Sequence, residues 1–305
     1  MFVKASAPDL FDLSMLPAID EVVMNRHKQF PAVHPMLFKV KGSNRSFEQI
    51  TEMSGLGQVV SVPEGNNTRY DQSIPAFNKT YKHAQYSLGF MVSHVAKQYD
   101  KYGVVGKMSA ALGKSHAEAP ELLAANVFNT SFTAIGPDGQ PLFSASHPLV
   151  GGGVQSNMLA YATDPDVTSL QLALAAMRKM KDHRGQLLNI SPKRLIVPAE
   201  LEFVATEILG GTMRADTANH TINAFKKRVG QPSFEELVVW SYLSDPHAWF
   251  IQADVAECEL RMYVAEKFNV VHETHFDSRS IKTAGWQQFS VGYSNPDGMF
   301  GVPSV

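Results

Sequence analysis

Near the end of the first third of the chain, apolar side chains recur at every second position: Ala84, Tyr86, Leu88, Phe90 and Val92. Such alternation predicts a strand from Thr80 to Val92 with one covered face. Upstream lie short apolar runs over 36–41, 47–53 and 59–62, closed by Gly42-Ser-Asn, Ser54-Gly-Leu-Gly57 and Pro63-Glu-Gly-Asn-Asn67. Glycine and proline at those stops read as strand ends. Residues 36–92 are therefore expected to form a projecting β-hairpin. A lone hairpin is marginal in water. Its apolar residues Phe47, Ile50, Met53, Leu56 and Val59 need a cover, and a second copy of the chain can supply one. Ahead of them Pro8, Pro17, Pro31 and Pro35 interrupt residues 1–35. Proline removes donors and biases its predecessor away from helix, so an extended arm is expected, with one amphipathic turn over 17–24.

Farther along, the period turns helical. Met108, Ala111, Leu112, Leu122, Leu123, Val127 and Phe128 predict a long helix near 107–131, with Pro120 as a kink or a start. A turn between two short strands is expected over 133–143, and Gly151-Gly-Gly153 marks a mobile or tightly turned loop. Asp164-Pro165 reads as a helix start, with Val167, Leu170, Leu174, Met177 and Met180 on one face. Lys179, Lys181, His183 and Arg184 fall in its last turns and Gly185 stops it. A buried strand is expected at 194–198 and a helix around Leu201–Leu209. Next come a polar loop over 212–227, a hairpin over 236–252, and strands at 259–264, 270–276 and 281–293. The fold class is α+β.

Composition narrows the function classes. The 305 residues carry 27 Lys plus Arg against 29 Asp plus Glu, a net charge of -2. That balance excludes a strongly basic protein that wraps or slides on nucleic acid. With 44% hydrophobic and 18% charged residues, the chain is too apolar for disorder. No uninterrupted apolar run is long enough to span a membrane, and the start has no secretory core. The single cysteine, Cys258, excludes an internal disulfide and a cysteine zinc cage and fits a reducing site of synthesis.

Motifs that would carry chemistry fail in context. Ser54-Gly-Leu-Gly57 has Val60 where a dinucleotide fold needs its third glycine. His272-Glu-Thr-His275 is one residue short of a zincin pair, so on a strand the rings point apart. Ser144, Ser146 and His147 lack a nucleophile elbow. Cys258 sits among acidic residues that raise a thiol pKa. Accordingly no catalytic, cofactor or metal residues are assigned, and an enzyme is not expected.

A family resemblance accounts for the rest. Phe128-Asn-Thr-Ser-Phe-Thr133, Gly136-Pro-Asp-Gly-Gln-Pro-Leu-Phe-Ser-Ala-Ser-His-Pro148 and Gly151-Gly-Gly-Val-Gln-Ser-Asn157 resemble the major capsid proteins of tailed bacteriophages. So do Leu195-Ile-Val-Pro-Ala-Glu-Leu201 and Glu236-Leu-Val-Val-Trp-Ser-Tyr-Leu-Ser-Asp-Pro-His-Ala-Trp-Phe-Ile251. Together they cover about half the chain and are most similar to the Mu-like major head subunit group. The resemblance implies an HK97-like phage capsid fold: N-terminal arm 1–35, extended loop 36–92, peripheral domain with spine helix 93–164, axial domain 165–265 and a return to the peripheral domain over 266–305. It implies self-assembly into hexamers and pentamers of an icosahedral shell around double-stranded phage DNA, with weak, non-specific DNA contact. Separate scaffold, portal and cement or decoration proteins are the implied partners. The implied location is the virion capsid, assembled in the bacterial host cytoplasm. No room is expected for a scaffolding domain ahead of the arm, so a separate scaffold protein, or none, is implied. No lysine occurs between Lys41 and Lys79, so isopeptide welding from the loop tip is not expected. The competing readings are an encapsulin-like compartment and an intracellular α+β hydrolase using His147 or His272.

Overall fold

The computed structural model describes residues 7–99, 103–211, 225, 234–275 and 277–304. The expected polar loop over 212–227 thus falls outside the described residues except at Phe225. Residues 1–35 correct the expectation of an extended arm: a helix, α1 (Ala7–Lys28), runs through most of them. Pro8 falls in its first turn, where no donor is needed. Pro17 lies inside the helix, at a cost of about 3 kcal/mol. Burial overrides that cost, because Ile19 and Val23 are covered by Val92, Val105 and Leu112. The arm therefore lies on the chain's own body. It approaches so closely that a Cβ on Gly113 would meet the Val23 carbonyl oxygen at 2.3 Å. Asp20 pairs with His272 at 2.7 Å, and the His27 ring stacks on Phe268 at 4.6 Å.

The remaining elements are α2 (His34–Leu37), β1 (Lys39–Gly42), β2 (Phe47–Met53), β3 (Pro75–Lys82), β4 (Ala84–Val92), α3 (His94–Gln98) and α4 (Val104–Asn129). Then come β5 (His147–Pro148), β6 (Val154–Gln155), α5 (Val167–Arg178), β7 (Pro192–Val197), α6 (Glu202–Gly210) and β8 (Glu236–Val239). The chain ends in β9 (Trp249–Ala253), β10 (Leu260–Thr274), β11 (Ile281–Tyr293) and β12 (Met299–Val302). One sheet has the order β1-β10-β11-β4 and a second the order β12-β9-β7-β8. The expected hairpin over 236–252 does not form, because β7 runs between β8 and β9. β10 joins the two segments expected at 259–264 and 270–276 into one strand that ends at Thr274, with register shifts between Val264 and Asn269; residue 276 lies outside the described residues. The domain boundary expected at 265 lies inside β10, and β12 pairs with β9 in the second sheet, not with the first.

The long helix α4 starts three residues earlier than expected and keeps Pro120 within it. Its C-terminal half supplies Ala124, Ala125 and Phe128 to the main core, with Leu170 and Met177 of α5 and the second sheet. Glu121, fully buried on α4, joins three parts of the chain. It accepts hydrogen bonds from the backbone N–H groups of Val33 and His34 at 2.6 and 2.9 Å, and from the Trp240 indole at 3.0 Å. His34 Nδ1 lies 2.6 Å away. Burial works to raise the Glu121 pKa, but the hydrogen bonds from His34 and Val33 outweigh it and hold the carboxyl below its usual range.

Asp166, not Asp164, caps α5, because Asp166 and Ser169 bond each other's backbone in a reciprocal box. α5 ends at Arg178. His183 and Arg184, expected in its last turns, belong instead to a separate tight turn over 182–186, and Lys181 pairs with Leu187 at its base. Within it Asp182 N–H donates to the Gln186 carbonyl at 2.7 Å, and Gly185 adopts φ 80°. The triplet Gly151–Gly153 wraps that turn. Gly152 and Gly153 have φ of 96° and 91°, and a Cβ on Gly151 would meet the His183 carbonyl at 2.6 Å.

Candidate functional site

The residues singled out for chemistry are occupied structurally. His147 Nδ1 lies 2.5 Å from Asp138, and its Nε2 lies 3.0 Å from Asn157 Oδ1. Ser144 Oγ turns to Gln140 at 3.2 Å, so the serine and the imidazole do not form a nucleophile–base pair. His272 and His275 sit three apart on and just beyond β10 and have different partners. His272 is held by Asp20 and Thr283, His275 by Ser278. Ser54-Gly-Leu-Gly57 leaves β2 into irregular chain with no helix behind it. Cys258 is buried, its thiol donating to the Gly298 carbonyl at 3.1 Å. Burial pushes its pKa up to about 12, and burial, not the acidic neighbours foreseen, is the leading cause. No described helix is long and apolar enough to cross a membrane.

The informative surface is the projecting loop. The strand expected from Thr80 to Val92 breaks at His83 into β3 and β4. β4 pairs with β11 in the first sheet, whereas β3 pairs only with β2. The His83 ring marks the base, with Ser290 Oγ at 3.0 Å on one nitrogen and Ser43 Oγ at 3.1 Å on the other. β1 belongs to the first sheet as a parallel partner of β10, so the projecting part is narrower than 36–92. The strand expected at Val59–Val62 does not form, and that run lies in irregular chain between β2 and β3.

Of the five residues assigned to contacts with another copy, four face outward. Phe47 is 50% exposed, Met53 55% and Leu56 62%, and Val59 is wholly exposed. Tyr70 joins them at 91%. Ile50 corrects the expectation, because alternation along β2 turns it to the inner face with Glu48 and Glu52. The outward-facing side chains are apolar and uncovered in the single chain.

The inner face of the loop meets a cluster that no local pattern revealed. Glu52 of β2 lies 2.9 Å from His183 and accepts a hydrogen bond from Asn295. Asp297, His147 and Asp138 line the same small pocket. The hydrogen bond with Glu52 raises the His183 pKa against the effect of burial. Burial, with the Glu52 charge nearby, pushes Asp297 up to about 6. A carboxyl whose folded pKa is raised contributes stability that is full below its unfolded pKa near 4 and is lost as pH rises through about 6. Asp297→Asn, which can still accept from Asn295, should therefore stabilise the unassembled chain by about 2–3 kcal/mol at pH 8 and leave it unchanged below pH 4. Urea unfolding at the two pH values measures the difference.

The phage capsid protein family model matches residues 78–302, about three quarters of the chain. All the motifs that carry the capsid resemblance lie inside that span. No curated protein matches the chain. Among solved structures, the procapsid of bacteriophage JBD30 aligns with TM-score 0.56 at 12% identity, covering 98% of this chain and 77% of that one. The capsid of cyanophage P-SCSP1u gives 0.58 at 11% identity, over 90% and 88%. A virus-like particle from Pyrococcus furiosus gives 0.54 at 9%, over 93% and 96%. This chain shares their fold, which is the HK97-like shell fold. The family match is more specific: this chain belongs to the phage capsid protein family.

Proposed function

We propose that the chain is the major head subunit of an icosahedral shell, assembled from hexamers and pentamers of itself around double-stranded DNA. The observation that carries this reading is the uncovered apolar face of the 47–74 loop on a chain of the capsid family. Each such contact is weak alone, but closure of a shell makes the contacts mutually reinforcing. The sheet of β7, β8, β9 and β12 with α5 and α6 corresponds to the axial domain that meets its copies at the capsomer centre. The sheet of β1, β10, β11 and β4 with α4 corresponds to the peripheral domain. With a net charge of -2, contact with packaged DNA is weak and independent of sequence. Residues 42–78 contain no lysine, so the shell rests on non-covalent contacts or on a cement protein. A portal protein, with or without a separate scaffold, completes the head, which is built in the host cytoplasm and ends as the virion capsid.

Sedimentation and electron microscopy of the purified protein at rising concentration test this. Capsomers giving way to closed particles are expected. A small oligomer at every concentration overturns the reading, and native particles that protect no DNA from nuclease point to a cargo compartment instead.

A further inference from the structure

The extended loop is gripped by its own chain. We propose that the 182–186 turn holds the loop in an autoinhibited pose, which must open before the loop can cover a second copy. The role in assembly rests on the shell reading above; the grip itself does not.

The turn is built beforehand. Asp182 Oδ1 accepts from the backbone N–H groups of Arg184 and Gln186 at 2.9 and 2.8 Å. From this platform Arg184 Nη1 reaches Asp71 at 2.5 Å, Nη2 reaches the Gln72 carbonyl and Nε lies 3.4 Å from Ser54 Oγ. Gln186 donates to the Leu56 carbonyl at 2.9 Å. Asp71 in turn accepts from Gly57 N–H at 2.7 Å, so one guanidinium ties both limbs of the loop together. His183 of the same turn pairs with Glu52 and meets the Phe77 ring edge-on at 5.7 Å.

Every bond between the turn and the loop's distal part, residues 54–72, is polar. The side chains of Leu56, Val59 and Tyr70 stay largely exposed beside the contact. An open groove of about 520 Å³ lies between loop and turn. A contact that satisfies polar groups, leaves the apolar ones bare and is loosely packed suits a reversible hold, not a core. A neighbouring copy offers cover for the apolar residues that this pose lacks. The exchange from polar grip to apolar cover is then the committed step.

Arg69 is the only lysine or arginine in residues 46–78, so trypsin reports on the loop at one bond. In the unassembled chain, Arg184→Ala should speed cleavage after Arg69 about tenfold, the factor that corresponds to losing one multiply bonded ion pair. Arg184→Lys keeps the charge without the fork and should fall between. Adding Gln186→Ala should speed cleavage further, while Arg279→Ala leaves it unchanged. The same Arg184→Ala protein should assemble with a lag several-fold shorter. Unchanged cleavage, with the fold intact by circular dichroism, overturns the grip. Faster cleavage with unchanged or slower assembly overturns autoinhibition and makes the contact part of the shell. If the wild-type chain builds no particles at all, the shell reading fails, and cleavage still decides whether the grip exists.

Discussion

Glu121→Ala should lower the stability of the unassembled chain by about 3–5 kcal/mol, the range for breaking a buried charged network on one side. The carboxylate is inaccessible to solvent and holds the backbone donors of residues 33 and 34, the His34 ring and the Trp240 indole. Alanine would leave those donors without an acceptor, and each orphaned buried donor costs about 1–3 kcal/mol. Trp240 follows β8, residues 33–34 open α2, and Glu121 lies in the C-terminal half of α4. The loss would thus loosen the end of the arm, the spine helix and the second sheet together. Glu121→Gln preserves shape and one acceptor and should cost roughly half as much. The pH profile gives a second check. A carboxyl whose folded pKa is depressed contributes stability that is present above the unfolded value near 4.5 and is lost as pH falls through the lower folded value. Wild type should therefore weaken steeply below about pH 5, and Glu121→Ala should flatten that slope. A loss under 1 kcal/mol in urea unfolding would mean that the junction is held by packing alone.

The sequence exposed those elements whose pattern is local. The period of α4, the alternation in β4 and the short apolar runs of β7 and β9 each follow from side chains within one element. The arm was misread because its prolines are local, whereas the cover for Ile19 and Val23 comes from residues 92–112. The hairpin over 236–252 was misread for a related reason. Two strands joined by a turn signal look adjacent, and nothing within the segment announces that β7 enters between them. Of the surface, the apolar residues of the loop were legible as residues needing a cover. The polar grip was not. Arg184 and Gln186 lie more than a hundred positions from Asp71 and Leu56, and in sequence Arg184 is an ordinary basic residue near a helix end. Glu121 reads as a polar position on a long helix, and only the fold brings Trp240 to it.

Leu56→Asp together with Val59→Asp should abolish particle formation at concentrations where wild type assembles, while leaving the unassembled chain folded. Both side chains already face water in the single chain, so the substitutions should change its unfolding free energy by no more than about 0.5 kcal/mol. In a shell the same positions would be covered by a neighbour. Losing two buried aliphatic side chains removes about 3–6 kcal/mol from each contact, before the cost of desolvating two carboxylates. At 1.4 kcal/mol per factor of ten, the concentration for assembly rises at least a hundredfold, and light scattering against concentration reads it directly. The corresponding lysine pair should fail equally, which separates lost cover from any new attraction of the acids to Arg184. Assembly at wild-type concentration would place this face of the loop on the outside of the particle. A melting temperature lowered by more than about 5 °C would be too large a change for two exposed sites. It would mean that the loop packs against its own chain in solution and that the cover it needs is already there.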